Sequence, residues 1–174
     1  MKRINQIGRI SVIIAALAAG YGGAFGDASS PSPTNTNLLQ NGGFEEGISP
    51  WQDFGSGASL ENKDVKEGKQ AVYLKKGSGV KCQVAGLKPA TKYRLTAMIK
   101  VEKEGDAARL LAEAYNKEEK QGKSSMAKAQ EWTEIVLEFQ TGANDTSAEV
   151  GVWKDAGLGD GGAYVDDVKL VEVK

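Results

Sequence analysis

N-G-G-F-E-E-G, Asn41 to Gly47, and A-Y-V-D-D-V-K, Ala163 to Lys169, are the two stretches whose reading decides the fold. The first has the glycines of a turn leading out of an early extended segment, and the second reads as the last strand of the chain. In a β-sandwich the turn and the strand would lie side by side at one end. Glu45 and Asp166 would then come within reach of one cation. Hard cations such as calcium take carboxylates and backbone carbonyls, and a glycine-rich turn lets bare carbonyls approach the ion. The same residues also read as a turn and a strand with solvated carboxylates.

The last strand sharpens the question. Strict alternation makes Tyr164, Val168 and Leu170 the inward set, with Asp166 in phase and Asp167 on the other face. An ionised carboxylate on an apolar face is costly unless something compensates it. A bound cation does so, and so does capping of a neighbouring loop backbone. A competing acidic site is the loop carrying Asp155 and Asp160, which also reads as a simple turn.

Working back along the chain, the hydrophobic period is mostly two. Tyr93, Leu95, Ala97, Ile99 and Val101 alternate with Arg94, Thr96, Met98 and Lys100. Ile135, Leu137 and Phe139 form a second such set, and Ala148, Val150 and Val152 a third, with Glu149 and Trp153 on its opposite face. Shorter strands are expected at Ala71 to Lys75 and Gly79 to Val84. Ala107 to Lys117 has helical propensity, but its alternation and its position between strands favour a strand. Asn116 to Gln130, dense in Lys, Glu, Ser and Gln, reads as a long solvated loop. Short strands separated by glycine-rich turns give an all-β antiparallel sandwich, with a jelly roll as the expected topology.

The front of the chain differs. Lys2, Arg3 and Arg9 precede and flank an apolar run from Ile10 to Ala19, shorter than the roughly 20 residues a membrane-spanning helix needs. Residues 1–26 read as a secretory signal peptide, 27–36 as a Ser/Pro/Thr linker, and 37–174 as one folded module. The expected location is secreted, periplasmic or extracellular, with no membrane insertion after signal removal. A lipid anchor would need a cysteine just after the apolar run, and the single cysteine is Cys82. Without Lys2, Arg3 and Arg9, 19 basic residues face 23 acidic ones, a net charge of -4, which disfavours nucleic acid as a partner. Cys82, between Val80 and Val84, reads as a buried thiol.

Several chemistries are set aside. The sequence contains 0 histidines, so histidine triads, histidine-ligated zinc and histidine acid–base catalysis are absent. Gly157, Gly159 and Gly162 match a nucleotide-binding pattern in letter, but they precede a strand instead of joining strand to helix. The expectation is a protein that is not an enzyme.

Further motifs carry a resemblance. N-L-L-Q-N-G-G-F-E-E-G from Asn37, Trp51 shortly after it, G-L-K-P-A-T-K-Y-R-L from Gly86, E-W-T-E-I-V-L-E-F from Glu131 and A-Y-V-D-D-V-K-L from Ala163 look like the carbohydrate-binding modules of families 4, 9 and 22. These belong to the wider galactose-binding-domain-like sandwich group. The resemblance spans the whole module and implies a jelly roll with a structural calcium held by Glu45, Asp166 and carbonyls near Gly43, Gly68 and Lys69. It also implies a polysaccharide or oligosaccharide ligand on a concave sheet face. The chain departs from the family in reading as a free-standing module with no catalytic domain and in having only 7% aromatic residues. Trp153 with Glu149, and Tyr115 with Glu113, look away from the core if the strands are phased correctly, and Arg94 is a further polar candidate. Sugar faces stack on such rings, and neighbouring polar groups bind hydroxyls. Trp51, Phe54 and Trp132 are weaker candidates. The alternative is a structural or adhesive cell-envelope domain with a protein partner and no sugar affinity.

Overall fold

The computed structural model describes residues 36–115 and 120–174, with all their side chains except those of residues 115, 120 and 121. The expected leader, and all of the expected linker but Thr36, lie outside the described residues. Ten strands follow: β1 (Gln52–Phe54), β2 (Ala58–Glu61), β3 (Ala71–Leu74), β4 (Gly79–Ala85), β5 (Lys92–Val101), β6 (Ala108–Tyr115), β7 (Lys120–Ala127), β8 (Thr133–Gln140), β9 (Ser147–Lys154) and β10 (Ala163–Glu172). They pair antiparallel into two five-stranded sheets, in the orders β1-β4-β9-β6-β7 and β2-β3-β10-β5-β8. No helix occurs among the described residues. The expected jelly-roll sandwich is the architecture observed.

Alternation builds the core. Leu95, Ala97, Ile99 and Val101 of β5 meet Leu110 and Ala112 of β6 and Val150 and Val152 of β9, all essentially inaccessible. Burying one such aliphatic side chain contributes about 1.5–3 kcal/mol. Tyr93 is buried too, and its polar tip is satisfied because the Lys88 amide donates to its hydroxyl oxygen at 2.8 Å while its ring stacks on Phe139. Cys82 points into the same core, and burial pushes its thiol pKa up, so the thiol stays protonated and inert.

Two expectations are corrected. Asn116 to Gln130 is not one long loop, because β7 occupies Lys120–Ala127 and pairs with β6 from Tyr115↔Lys120 to Ala108↔Ala127. K-Q-G-K-S-S-M-A has no apolar alternation because β7 is an edge strand with one neighbour, and its lysines suit an exposed edge. The phase of β10 is also different. Asp166 pairs with Met98 and Lys169 with Thr96, so three steps on β10 face two on β5, and Asp167 takes φ 48°. This bulge switches the inward set from Ala163 and Val165 to Val168 and Leu170. Tyr164 therefore lies on the outer face and not in the core.

The chain before β1 seals that bulge. The Asn37 carboxamide accepts from the Leu170 amide at 2.9 Å and donates to Val168 O, and Leu38 N bonds Leu170 O. Gly42 then passes so close to β10 that a Cβ there would run into Val168 O, and the two backbones join through Val168 N to Gly42 O at 2.9 Å. The turn from Asn41 and the last strand thus lie side by side at one end of the sandwich. Trp51 closes the turn from behind, buried, with its indole N–H shared between the carbonyls of Gln40 and Asn41 and its ring against Phe44.

Candidate functional site

The outer face of the first sheet carries a groove of about 380 Å³. Register assigns its walls. Trp153 on β9 pairs with Gly79 on β4 and with Arg109 on β6, while Glu149 pairs with Gln83 and Glu113. Directly opposed residues of an antiparallel pair share a face, so Trp153, Glu149 and Glu113 all point outward, away from Val150 and Val152. The groove is lined by these three with Phe54, Lys81 and Leu111, over a floor at Val150 and Gly151. Phe54 reaches it from β1 because its register partner is Gly79, and the ring occupies the space a Cβ of residue 79 would need.

Two ion pairs lie on this face, one in the groove and one beside it. Lys81 Nζ lies 3.0 Å from Glu149 Oε2, spanning β4 and β9. At the Trp153 end, Arg109 Nε donates to Asp155 Oδ2 at 3.0 Å. The Gly157 amide and then the Arg109 guanidinium hold the Asp155 carboxyl below its ordinary pKa range. Trp153 Nε1 is buried and has no hydrogen-bond partner among the described residues. Leaving such a donor unpaired costs about 1–3 kcal/mol. The arrangement offers ring faces beside fixed donors and acceptors, the combination that recognises a polyhydroxylated ligand.

Of the residues singled out in the sequence, Trp153, Glu149 and Glu113 come together here. Tyr115 ends β6 on the register of this face, but its side chain lies outside the described residues. Arg94 is brought elsewhere: it sits on β5 in the other sheet, with Nη2 2.7 Å from Glu138 Oε1. Phe54, a weaker candidate in the sequence, also lines the groove, and Lys81 and Leu111 line it without having been singled out. The strand that carries Phe54 has three residues, too few to show a period.

The second cluster lies at the end where the Asn41 turn meets β10, and it is organised by the loop 66–70. Asp166, fully buried, accepts the amides of Lys66 and Glu67 on Oδ2, both at 3.0 Å, and that of Asp167 on Oδ1 at 2.7 Å. Burial nevertheless raises its pKa above the ordinary carboxylate value, with those amides pulling the other way. Glu45 accepts the amides of Lys69 and Gln70, and these hold its carboxyl below the usual range. Gly68, at φ 69°, packs against that carboxylate where a Cβ could not fit. Gly43 lies between, its Cβ position 3.9 Å from Asp166 Oδ1 and 4.0 Å from Glu45 Cγ.

This donor set fits a hard cation. A carboxylate has about four lone-pair sites, so Glu45 Oε2 and Asp166 Oδ1 keep accepting capacity, and Gln70 Oε1 on the same loop is buried without a partner. Among the described residues no three His, Cys, Asp or Glu side chains converge on one point. The remaining ligands would therefore be carbonyls, which suits calcium. The competing loop is already filled from within. Lys154, fully buried, donates to Leu158 O at 2.6 Å and Asp155 O at 3.2 Å and pairs with buried Asp106 at 3.4 Å, while Asp160 pairs with Lys76.

A family model described as a carbohydrate binding domain matches residues 36–157. A keratan-sulfate endo-1,4-beta-galactosidase of Sphingobacterium multivorum is 28% identical over 162 residues, which are 87% of this chain and 37% of that enzyme. The chain thus spans little more than a third of that relative. Among solved structures, a family 16 carbohydrate binding module superposes with a TM-score of 0.66 at 27% identity, covering 78% of this chain and 100% of that one. Two more share the fold: TmCBM61 in complex with beta-1,4-galactotriose, with a TM-score of 0.60 at 20% identity over 79% and 99% of the two chains, and the CBM22-1 xylan-binding domain of Paenibacillus barcinonensis Xyn10C, with 0.64 at 14% over 80% and 96%.

Proposed function

We propose, for a chain that belongs to the carbohydrate binding domain family, a non-catalytic and exported module that holds a polysaccharide in the groove on the outer face of the first sheet. The observation that carries this reading is the groove itself, where Trp153 and Phe54 stand beside Glu113, Glu149 and Lys81. Sugar C–H faces stack on the rings, and the carboxylates and ammonium bind hydroxyls. A β-1,4-linked, galactose-containing glycan is the first class to test. That choice is supported by the galactosidase relative and by the galactotriose-bound neighbour.

At the other cluster, Glu45 and Asp166, with carbonyls around Gly43, Gly68 and Lys69, hold a structural calcium that ties the early turn to β10. The ion supplies positive charge to a carboxylate that burial has stripped of water. The deciding experiment is a polysaccharide pull-down and glycan array with the purified protein, with and without calcium, beside a reducing-end assay. Retention without release of reducing ends is expected. Turnover, or retention of no glycan at all, would overturn the reading.

A further inference from the structure

Among the described residues, two basic side chains of the groove face, Lys81 and Arg109, are already committed to carboxylates of the same face. Lys81 reaches across from β4 to Glu149 on β9, and Arg109 reaches from β6 to Asp155 just beyond the end of β9. The side chains are 36% and 26% exposed in the Lys81–Glu149 pair and 33% and 17% in the Arg109–Asp155 pair, and Asp155 is fixed a second time by the Gly157 amide at 2.8 Å. A ligand sulfate or carboxylate in this groove would have to draw a cation away from its partner and then sit beside the carboxylate it had uncovered. Like charges brought together without compensation oppose binding and discriminate between ligands. A hydroxyl meets no such barrier, because it can accept from the ammonium or guanidinium and donate to the carboxylate while each ion pair stays closed.

We infer that the groove takes neutral glycans and rejects sulfated or uronic-acid-rich ones, with the Lys81–Glu149 and Arg109–Asp155 pairs as the specificity determinants. This rests on the reading of the groove as the glycan site. Its content is the substrate's charge class, and it applies even where a polymer's sugar sequence fits, so that the sulfated stretches of a galactose-containing chain are excluded and the unsulfated stretches held.

The test is retention of the full protein on galactan, xylan and keratan, each offered in neutral form and as a sulfated counterpart. Wild type should retain the sulfated polymer at least about tenfold more weakly than its neutral partner. Glu149→Gln leaves the Lys81 ammonium without its carboxylate, and Asp155→Asn does the same for Arg109. Both should shift the sulfated-to-neutral ratio upward, Glu149→Gln by about tenfold. Glu138→Gln removes the same charge on the opposite sheet and should leave the ratio unchanged. Equal retention of both forms by wild type would overturn the inference, as would an unchanged ratio in both groove variants or an equal shift in Glu138→Gln. Wild type that binds neither form of any polymer would instead bring down the groove reading, and this inference with it.

Discussion

The two sheets both carry aromatic rings on their outer faces, and they treat them in opposite ways. On the second sheet Tyr73 and Trp132 both pack against Tyr164, with ring centroids 5.0 and 6.4 Å from it, each polar tip but that of Tyr164 tied to a named partner. Trp132 Nε1 donates to Asp64 Oδ1, Asp64 also holds Lys100, and the Lys100 ammonium stands 5.4 Å over the Tyr164 ring. The Tyr73 hydroxyl donates to Glu102 Oε2, which also accepts the Gly162 amide. On the first sheet Trp153 has a buried N–H with no partner among the described residues, and its ring borders an open groove. A half-exposed ring is therefore weak evidence of a binding role by itself. Whether its polar handle is already engaged, and whether its neighbours are tilted against it as packing or aligned along a cleft, separates a structural aromatic from one that can take a ligand.

The largest effect that would sharpen this contrast is on stability. Tyr164→Ala removes the central ring of the second-sheet cluster and should cost about 2–3 kcal/mol, somewhat below the range for fully buried aromatics because the ring is half-buried. Denaturant unfolding measures it, and polysaccharide retention per folded molecule should not change.

Next comes the proposed cation at the Asn41 turn. Because burial raises the Asp166 pKa in the folded state, protonation favours the fold. The stability this group contributes is present below its unfolded value and lost as pH rises through the folded one, where the buried carboxylate ionises. A bound calcium would offset that loss. Calcium at a hundredfold excess over its Kd should add about 2.7 kcal/mol at neutral pH. The gain should shrink as pH falls through the folded value, and Asp166→Asn should abolish it. Melting curves indifferent to calcium and to chelator would remove the cation from the account.

A smaller stability effect belongs to Tyr73, whose pKa is pushed up to about 12 by burial and by the Glu102 carboxylate. With the folded value above the unfolded one, near 10, the phenol stabilises the fold fully below pH 10 and progressively less as pH rises to 12. Tyr73→Phe should lose the part of the alkaline melting shift that falls in this window. An unchanged alkaline profile would mean that the second-sheet cluster is more open than its hydrogen bonds indicate.

Much of this was readable from the chain alone, for physical reasons specific to each element. β5, β8 and β9 have one face in the core and one in water, so Leu95 to Val101, Leu137 to Phe139 and Ala148 to Val152 spell their own phase. That phase correctly turned Trp153, Glu149 and Glu113 to one side. β7 was missed because an edge strand made of Lys, Ser and Gly has no burial to imprint a period. The place of Tyr164 was missed because a bulge adds one residue to β10, and alternation cannot register an insertion that a tertiary contact, the Asn37 segment against Val168 and Leu170, holds in place. Phe54 was undervalued for a related reason: its position depends on the absence of a side chain at Gly79, a residue on another strand.

The account's central claim is that the first sheet binds and the second does not, and two tryptophans test it most directly. Polysaccharide affinity should be measured for Trp153→Ala and Trp132→Ala at equal folded concentration, with the melting temperature of each. The account predicts that Trp153→Ala weakens retention at least about tenfold, or about 1.4 kcal/mol, with little change in melting temperature, while Trp132→Ala melts earlier and binds as wild type. If Trp153→Ala unfolds or binds normally and Trp132→Ala is the variant that loses the glycan, the binding face has been assigned to the wrong sheet.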